Sequence, residues 1–201
     1  MNELVQLRLR GARILSGLSW GCTAALALLG LTFDLYGTWI AVALSAALNV
    51  LPTLSTTAKR YDLPVAAMFG LSAAVQPALL VFMLTGHPWQ MEGHMYFFVG
   101  LGGLALLCDW RPIAVSVGVI AIHHLLLSYL VPEWVFIGSG NLARVMVHAL
   151  AVSLVLGVLG PVMDHMSKLI ITQAEARASS EESASSAQEA LAAARNAEGA
   201  A

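Results

Sequence analysis

The sequence predicts an all-α protein: a six-helix transmembrane bundle followed by a cytoplasmic signalling helix. The first observation is composition, because 58% of the 201 residues are hydrophobic and only 11% are charged, whereas soluble domains carry about 25% charged residues. The second is that the apolar stretches are continuous and close to the roughly 20 residues that a helix needs to cross a bilayer. The third is that a large share of the charge lies beyond residue 163. Because backbone groups find no water in a lipid core, such continuous runs favour helices over a barrel.

The predicted spans are separated by turn residues and charges, and they cover residues 14–33, 38–56, 64–84, 91–108, 112–131 and 142–163. Their orientation follows from Lys and Arg, which favour the cytoplasmic side. With six spans, nine of the 10 Lys and Arg residues lie on one side and only Arg144 lies on the other. We therefore predict a multi-pass protein of the bacterial inner membrane, in contact with membrane lipid, with both termini cytoplasmic.

The composition divides the chain into a membrane domain, residues 1–163, and a coiled-coil-like signalling helix, residues 164–201, that is truncated before any output domain. The tail is rich in Ala, Glu, Gln and Arg, which are good helix formers. Two interpretations of it remain open: a solvated helix that stands alone, or a homodimer through the sixth span and the tail. A weak heptad-like seam at alternating steps of four and three residues supports the second: Met166, Ile170, Gln173, Arg177, Ser180, Ala184, Ala187 and Leu191.

Several function classes are excluded at this stage. The formal net charge of −2 provides no general attraction to nucleic acid, so no nucleic-acid partner is expected. No nucleophile–base pair, phosphate-binding glycine loop or pair of carboxylates at one depth is recognisable, so we do not expect an enzyme.

Polar side chains within the predicted spans are the candidate functional residues, because ionisable groups are costly there and mark function. At a rise of about 1.5 Å per residue, His123, His124, His148 and Gln76 are expected to share a layer about 10 Å deep in the outer half, with His94 above it. An imidazole that faces lipid lacks a hydrogen-bond partner, so the rings are expected to point into the bundle. We therefore predict that these five residues form a cofactor-binding site.

Two kinds of cofactor fit this layer, because neutral imidazole is the commonest metal ligand and helix bundles hold haem or metal between facing helices. Two histidines from different helices would bind haem b axially, whereas His94, His124 and His148 would together bind a copper or zinc ion. His123 and His124 lie about 100° apart around a helix. Both rings therefore cannot bind the same ion. We predict that His124 is the ligand and that His123 donates a hydrogen bond to a neighbouring helix. Without a metal, the same layer would bind a small polar ligand or respond to pH.

Four short stretches carry a resemblance to a known family: His94-Met-Tyr-Phe-Phe, Cys108-Asp-Trp-Arg-Pro, His123-His-Leu-Leu-Leu and Asn141-Leu-Ala-Arg-Val-Met-Val-His148. Together they resemble the N-terminal membrane sensor region of bacterial methyl-accepting chemotaxis transducers, and a similar region precedes some diguanylate cyclases. The resemblance covers about residues 89–156. It implies a multi-span sensor that forms a homodimer and signals to a chemotaxis kinase through a coupling protein, by way of an output region outside this sequence. The tail pairs Glu181-Glu182 and Gln188-Glu189 resemble the methylation sites of such transducers.

We therefore expect the transmembrane sensor domain of a chemotaxis-type signal-transduction receptor, which detects its stimulus through a histidine-lined haem or metal site in the outer half of the bundle. One alternative is a membrane haem redox protein or a small transporter that uses the same histidine layer. Another is a structural anchor in which the histidines are incidental.

Overall fold

The computed structural model describes residues 3–138 and 141–199, and no strand occurs within these ranges. The prediction of an all-helical fold is confirmed. The helices are α1 (Glu3–Phe33), α2 (Thr38–Thr57), α3 (Leu63–Met83), α4 (Gln90–Gly93), α5 (Met95–Gly103), α6 (Trp110–Leu130) and α7 (Leu142–Gly199). Two short 3-10 turns, Leu104–Leu107 and Pro132–Trp134, follow α5 and α6.

The helix starts follow from local sequence. The side chain of Asp62 accepts a hydrogen bond from the backbone N–H of Val65 at 3.1 Å, and a proline lies in the first turn of α3. The side chain of Asp109 accepts from the N–H of Arg111 at 3.1 Å at the start of α6. Each aspartate thus satisfies a backbone donor that a helix leaves unpaired at its N-terminus.

Five of these helices, α1, α2, α3, α6 and α7, are long and apolar enough to cross a membrane. The prediction of six continuous spans is therefore wrong in its count. The fourth predicted span, 91–108, is not one helix, because the chain breaks at His94 and tightens into a 3-10 turn after Gly103. Its four glycines, Gly93, Gly100, Gly102 and Gly103, each weaken a helix by about 1 kcal/mol relative to alanine.

This broken segment, residues 90–107, is called segment four below, and it still runs along the whole length of the bundle. Gly93 lies beside Leu84 at the end of α3, Gly100 lies against the backbone of Ala73 at mid-helix, and the backbone of Leu106 meets Gly11. A Cβ atom on Gly100 would come within 2.5 Å of the Ala73 carbonyl oxygen. Glycine at these positions therefore allows segment four to pack closely on α3 and α1.

The core lies between α3, segment four and α6, with contributions from α1 and α7. Its buried members include Ala12, Val65, Phe69, Leu101, Leu104, Ile113, Val117, Ile120 and Val152. Many large apolar side chains instead point outward, such as Leu28, Ile40, Val99, Ile122, Leu150 and Leu154. Outward-facing apolar side chains of this number are compatible with a membrane protein, since lipid tails are as apolar as the core.

Helix α7 is continuous from Leu142 to Gly199, so the boundary that composition places after Met163 is not a break in the helix. Pro161 lies inside α7 without ending it. Beyond residue 170 nearly every described side chain is exposed. Arg177 pairs with Glu3 of α1 at 3.6 Å, and both side chains are more than half exposed. The sixth predicted span therefore passes directly into the tail.

Candidate metal centre

Three histidines from three different segments meet at one point. His94 lies at the junction of α4 and α5, His124 on α6 and His148 on α7. If one ring nitrogen is taken from each histidine, the three nitrogens all lie within 4.8 Å of one another. His94 and His124 are buried, with 7% and 2% of their surface exposed, and His148 is half-buried. The three rings are thus close enough to hold a metal ion.

Each of the three rings is oriented by its own helix turn. The Nδ1 atom of His94 lies 3.0 Å from the carbonyl oxygen of Gln90, that of His124 lies 2.9 Å from the carbonyl of Ile120, and that of His148 lies 2.9 Å from the carbonyl of Arg144. A carbonyl only accepts, so in each neutral ring Nδ1 carries the proton and Nε2 keeps its lone pair.

The Nε2 atoms of His94 and His124 are buried and have no hydrogen-bond partner among the described residues. A buried nitrogen lone pair without a partner is costly. Metal-binding histidines commonly donate through the second ring nitrogen to a carbonyl, which fixes the tautomer that binds metal. Three rings bonded alike, two of them with unpartnered Nε2 atoms, are therefore the arrangement expected of a ligand set.

Phe136 completes the packing around the three rings, and sequence reasoning did not identify it. It is fully buried and stacks on His94 with a centroid distance of 5.7 Å and an interplanar angle of 6°. Its centroid lies 5.9 Å from that of His124 and 5.4 Å from that of His148. Phe136 lies in the linker between α6 and α7, so only the path of this linker brings it to the histidines.

Gln90 holds this linker in place, and it was also not identified from sequence. It is fully buried, and its side-chain Nε2 donates to the carbonyl oxygen of Glu133 at 2.8 Å and lies 3.4 Å from that of Val81. Its backbone carbonyl accepts from His94. The available signal is spacing: Gln90 precedes His94 by four residues, one helix turn, at the edge of an apolar run.

The structure corrects the expected depth of His94. Sequence counting along a straight helix put this residue above the layer, whereas its ring centroid lies 5.8 Å from that of His124 and 5.7 Å from that of His148. The reason is that the chain breaks at His94, so helical counting does not hold across the break. The bonds of Gln90 keep the preceding turn against α3 and the linker.

The other two predicted site residues lie apart from the three ligand atoms. The ring centroid of His123 lies 5.2 Å from that of His124, and its Nε2 is buried without a partner among the described residues. Gln76 belongs to a different polar cluster, where it bonds to Ser19, Ser45 and Asn49. Gln76 faces α1 and α2 from α3, which a depth estimate alone does not reveal.

A further polar cluster, the Asp109 network, lies at the end of the bundle opposite the three histidines. Asp109 is buried, pairs with the Arg111 guanidinium at 2.9 Å and with that of Arg8 at 3.9 Å, and accepts from the hydroxyl of Tyr61 at 3.1 Å. Burial alone would raise the pKa of Asp109, but the hydrogen bonds from Arg111 and the charge of Arg8 outweigh it and lower the pKa. Burial, followed by the charge of Asp109, raises the pKa of Tyr61.

The Asp109 network also connects α7 to segment four. The hydroxyl of Ser167, on α7, donates to the carbonyl oxygen of Cys108. The guanidinium of Arg8 donates to the same carbonyl at 3.0 Å and to Ser167 Oγ at 3.4 Å. Cys108 has a positive φ of 44°, and this turn directs its carbonyl toward α7 and α1.

No protein-family model, no curated protein and no solved structure matches the chain. Its function is therefore inferred from the side chains and their geometry.

Proposed function

We propose that this chain is the membrane sensor region of a bacterial signal-transduction receptor, and that it binds one metal ion through the Nε2 atoms of His94, His124 and His148. The single observation that carries this proposal is the convergence of three imidazoles, each with its Nδ1 bonded to the carbonyl one helix turn earlier, with one ring nitrogen of each within 4.8 Å of the others. A single histidine inside a membrane serves as a helix–helix contact, but three with their Nδ1 atoms bonded to carbonyls leave three Nε2 atoms for one ligand.

Zinc or copper suits the site best. Three neutral imidazoles are a known zinc ligand set that leaves a fourth position open, and they also suit copper. Tetrahedral ligands at about 2.0–2.1 Å from zinc lie about 3.3 Å from one another. The nitrogens, now within 4.8 Å of one another, need to close by at most about 1.5 Å relative to that tetrahedral spacing. Ring rotation and small helix shifts supply such a movement.

Haem b is the less favoured cofactor. Two axial histidines must face each other across a flat macrocycle. Here Phe136 stacks directly on His94, and the centroid of Phe97 lies 5.4 Å from that of His124. These aromatic rings fill space that a macrocycle would have to enter. A compact ion requires no such rearrangement.

A route for the signal is provided by α7, which carries His148 and continues into the tail. The same helix bonds to the end of segment four through Ser167, 19 residues or about 28 Å farther along. His94 lies at the start of segment four and Cys108 directly after it. Drawing His94 and His148 together at one end therefore changes the alignment of the same two elements at the other. Shifts of 1–2 Å of one helix on another are typical of signalling transitions, about the size of the closure.

The remaining parts of the proposal rest on the charge bias and the resemblance. The excess of Lys and Arg on one side favours cytoplasmic termini in a bacterial inner membrane. The exposed tail is suited to pairing with a second copy, and to passing a signal to a chemotaxis kinase and its coupling protein through a further output region. Methylation of Glu181, Glu182 and Glu189 would tighten paired helices by removing like charges, whereas Gln188 of the same pairs already carries no charge.

The alternative, a redox protein or a transporter, requires a polar path or a second redox site. Within the described ranges, the other polar cluster inside the bundle, around Gln76, lies between α1, α2 and α3 and has no hydrogen bond to the three histidines. The sensor proposal needs only the one site and the helix that leaves it.

Elemental analysis and an absorbance spectrum of the purified protein in lipid nanodiscs test the proposal. We expect about one zinc or copper ion per chain in the wild type and its loss in His124→Ala and His148→Ala. His165→Ala is the matched control, because His165 lies on α7 and is exposed. Absence of both a stoichiometric metal ion and a Soret band from the wild type, even after incubation with metal, would refute the site. A Soret band would move the proposal to haem b.

A further inference from the structure

A cavity of about 330 Å³ lies on the side of the bundle between α1 and segment four, with α3 as its floor. Its lining extends along α1 from Leu15 to Leu29, a length of about 21 Å. Most of this lining is apolar. We call it the side cavity; it shares no lining residue with the candidate metal centre.

The path of segment four explains why the cavity exists. At one end, Leu106 of segment four meets Gly11 of α1, which closes the gap below Leu15 and Leu104. Beyond this contact the wall of segment four carries Gly100 and Gly103, which have no side chain to fill the space. The close approach of Gly100 to the backbone of Ala73 keeps this wall on α3 while the gap to α1 remains open.

Polar groups lie on the floor at mid-height. Ser72 and Gln76 on α3 and Ser19 on α1 all line the cavity. Ser72 is about 14 and about 17 Å from the two ends of α3, near the middle of the predicted membrane. A pure hydrocarbon ligand cannot form hydrogen bonds with hydroxyl and amide groups, and such groups are costly at that depth.

One donor among the hydrogen bonds of the floor can be released to a ligand. The hydroxyl of Ser19 donates to Asn49 Oδ1 at 2.6 Å, so Ser72 is the donor in its 2.9 Å contact with Ser19. Ser19 also accepts from Gln76 Nε2 at 3.2 Å. The Ser72 hydroxyl can therefore turn toward a ligand without leaving Ser19 unsatisfied, since Gln76 still donates to it.

We propose that the side cavity binds a lipid-soluble ring compound with carbonyl oxygens, of the quinone class, and that Ser72 donates a hydrogen bond to one carbonyl. The volume lies at the lower end of the range for small-molecule sites, about 300–1,000 Å³. It suits a single substituted ring with a short apolar extension. The apolar length of the cavity toward Leu29 would hold that extension, and a route from the lipid is open because Tyr96 and Val99 at its edge are exposed.

Two other occupants fit less well. A helix of a second copy is about 10–12 Å across with its side chains, which is too wide for this volume. A lipid acyl chain fits by shape but offers no acceptor to the Ser72 hydroxyl, which then stays bonded to Ser19. The proposal does not depend on the metal centre, so either can fail without the other.

Photolabelling in nanodiscs tests this proposal with an azido-substituted benzoquinone as the probe and peptide mass spectrometry as the readout. We expect adducts on the cavity face of α1 and on Tyr96. Tetramethyl-benzoquinone in tenfold excess should remove most of this labelling. Tetramethylbenzene is the matched competitor, because it has the same ring and methyl groups without the carbonyls, and it should compete much less.

Two variants locate the site. Ser72→Ala should weaken competition by tetramethyl-benzoquinone about two- to tenfold, the range of one net hydrogen bond. Gly103→Leu should abolish cavity labelling, because a Cβ there is in ordinary contact with Leu15, 3.5 Å away, and the longer side chain fills the cavity. Gly102→Leu is its control, since a Cβ at Gly102 meets nothing within 4 Å.

Three results would overturn the proposal. Equal competition by tetramethylbenzene would show that carbonyls are not recognised and that lipid chains fill the cavity. Labelling that is unchanged in Gly103→Leu would place the ligand elsewhere. Cross-links between two copies through Tyr96 would show that the cavity belongs to a dimer interface. A single symmetric peak in size-exclusion chromatography of the same samples serves as the check that each variant is folded.

Discussion

Replacing Gln90 tests whether the linker between α6 and α7 orients the candidate metal ligands. Gln90→Leu keeps the volume of the side chain but removes the donor to the Glu133 carbonyl, a bond of 2.8 Å. The bond of 3.4 Å to the Val81 carbonyl is weak and contributes little. Loss of the first bond leaves a part-buried carbonyl without its donor, which costs about 1–3 kcal/mol.

We expect two measurable consequences. The free energy of unfolding of the metal-free protein should fall by less than about 3 kcal/mol, because the change also removes the buried Gln90 Oε1, which has no partner among the described residues. Denaturant titration followed by tryptophan fluorescence measures it. Metal affinity should fall about 10- to 100-fold, the usual effect of losing a group that orients a ligand, measured by competition with a chelator. All three histidines remain, so binding should weaken rather than disappear.

Gln188→Leu is the control, because Gln188 is exposed on the tail and outside the predicted seam, so the same change there should alter neither quantity. A Gln90→Leu protein that binds zinc as tightly as the wild type would refute this reasoning. It would mean that the position of Phe136 does not depend on the bond to Glu133, or that the rings are oriented by their helix carbonyls alone.

Three further predictions address the rest of the bundle. Because the pKa of Asp109 is lowered, its contribution to stability is complete above the ordinary carboxylate pKa of about 3.9 and is lost as the pH falls through the lowered value. Asp109→Asn should therefore be less stable than the wild type at neutral pH, and its stability should change less than that of the wild type as the pH falls. Thermal unfolding of both proteins between pH 7 and 3 measures this. Ser167→Ala should leave metal content unchanged but remove the bond to the Cys108 carbonyl, so a spin label on the tail should report less metal-dependent movement than in the wild type; an unchanged response would exclude this contact from signalling. Gly11→Leu should prevent stable folding because its Cβ would overlap the backbone of segment four, whereas Gly17→Leu, with nothing within 4 Å, should behave as the wild type in size-exclusion chromatography.

Much of the fold was predictable because the physics that selects it is local. A helix that lies in lipid must satisfy its backbone within itself and cover itself with apolar side chains, so long apolar runs mark α1, α2, α3, α6 and α7 directly. The same rule failed for segment four. Its composition is that of a span, but four glycines and the break at His94 divide it, and composition does not report where a helix tightens or stops.

The sequence was sufficient to predict that histidines form the candidate site, but not which residues meet there. The histidines of α6 and α7 were expected to converge because both helices are regular, so depth can be counted from their ends. His94 joined them and Gln76 did not, since depth gives no information about which neighbour a side chain faces. Phe136 had no signal in the sequence and Gln90 had only its four-residue spacing from His94, because both act through the linker between α6 and α7.

From the sequence alone, this protein is a set of apolar helices with histidines at matching heights and a polar helix that leaves the bundle; composition and helical rise suffice for that, because both are properties of single segments. Only the tertiary structure decided that three rings share one centre, that Ser167 ties α7 to the end of segment four, and that a cavity opens beside α1. These features depend on how separate segments rotate and cross. Rotation and crossing are set by close contacts between distant residues, such as Gly11 with Leu106 and Gly100 with Ala73, and no single segment encodes such contacts.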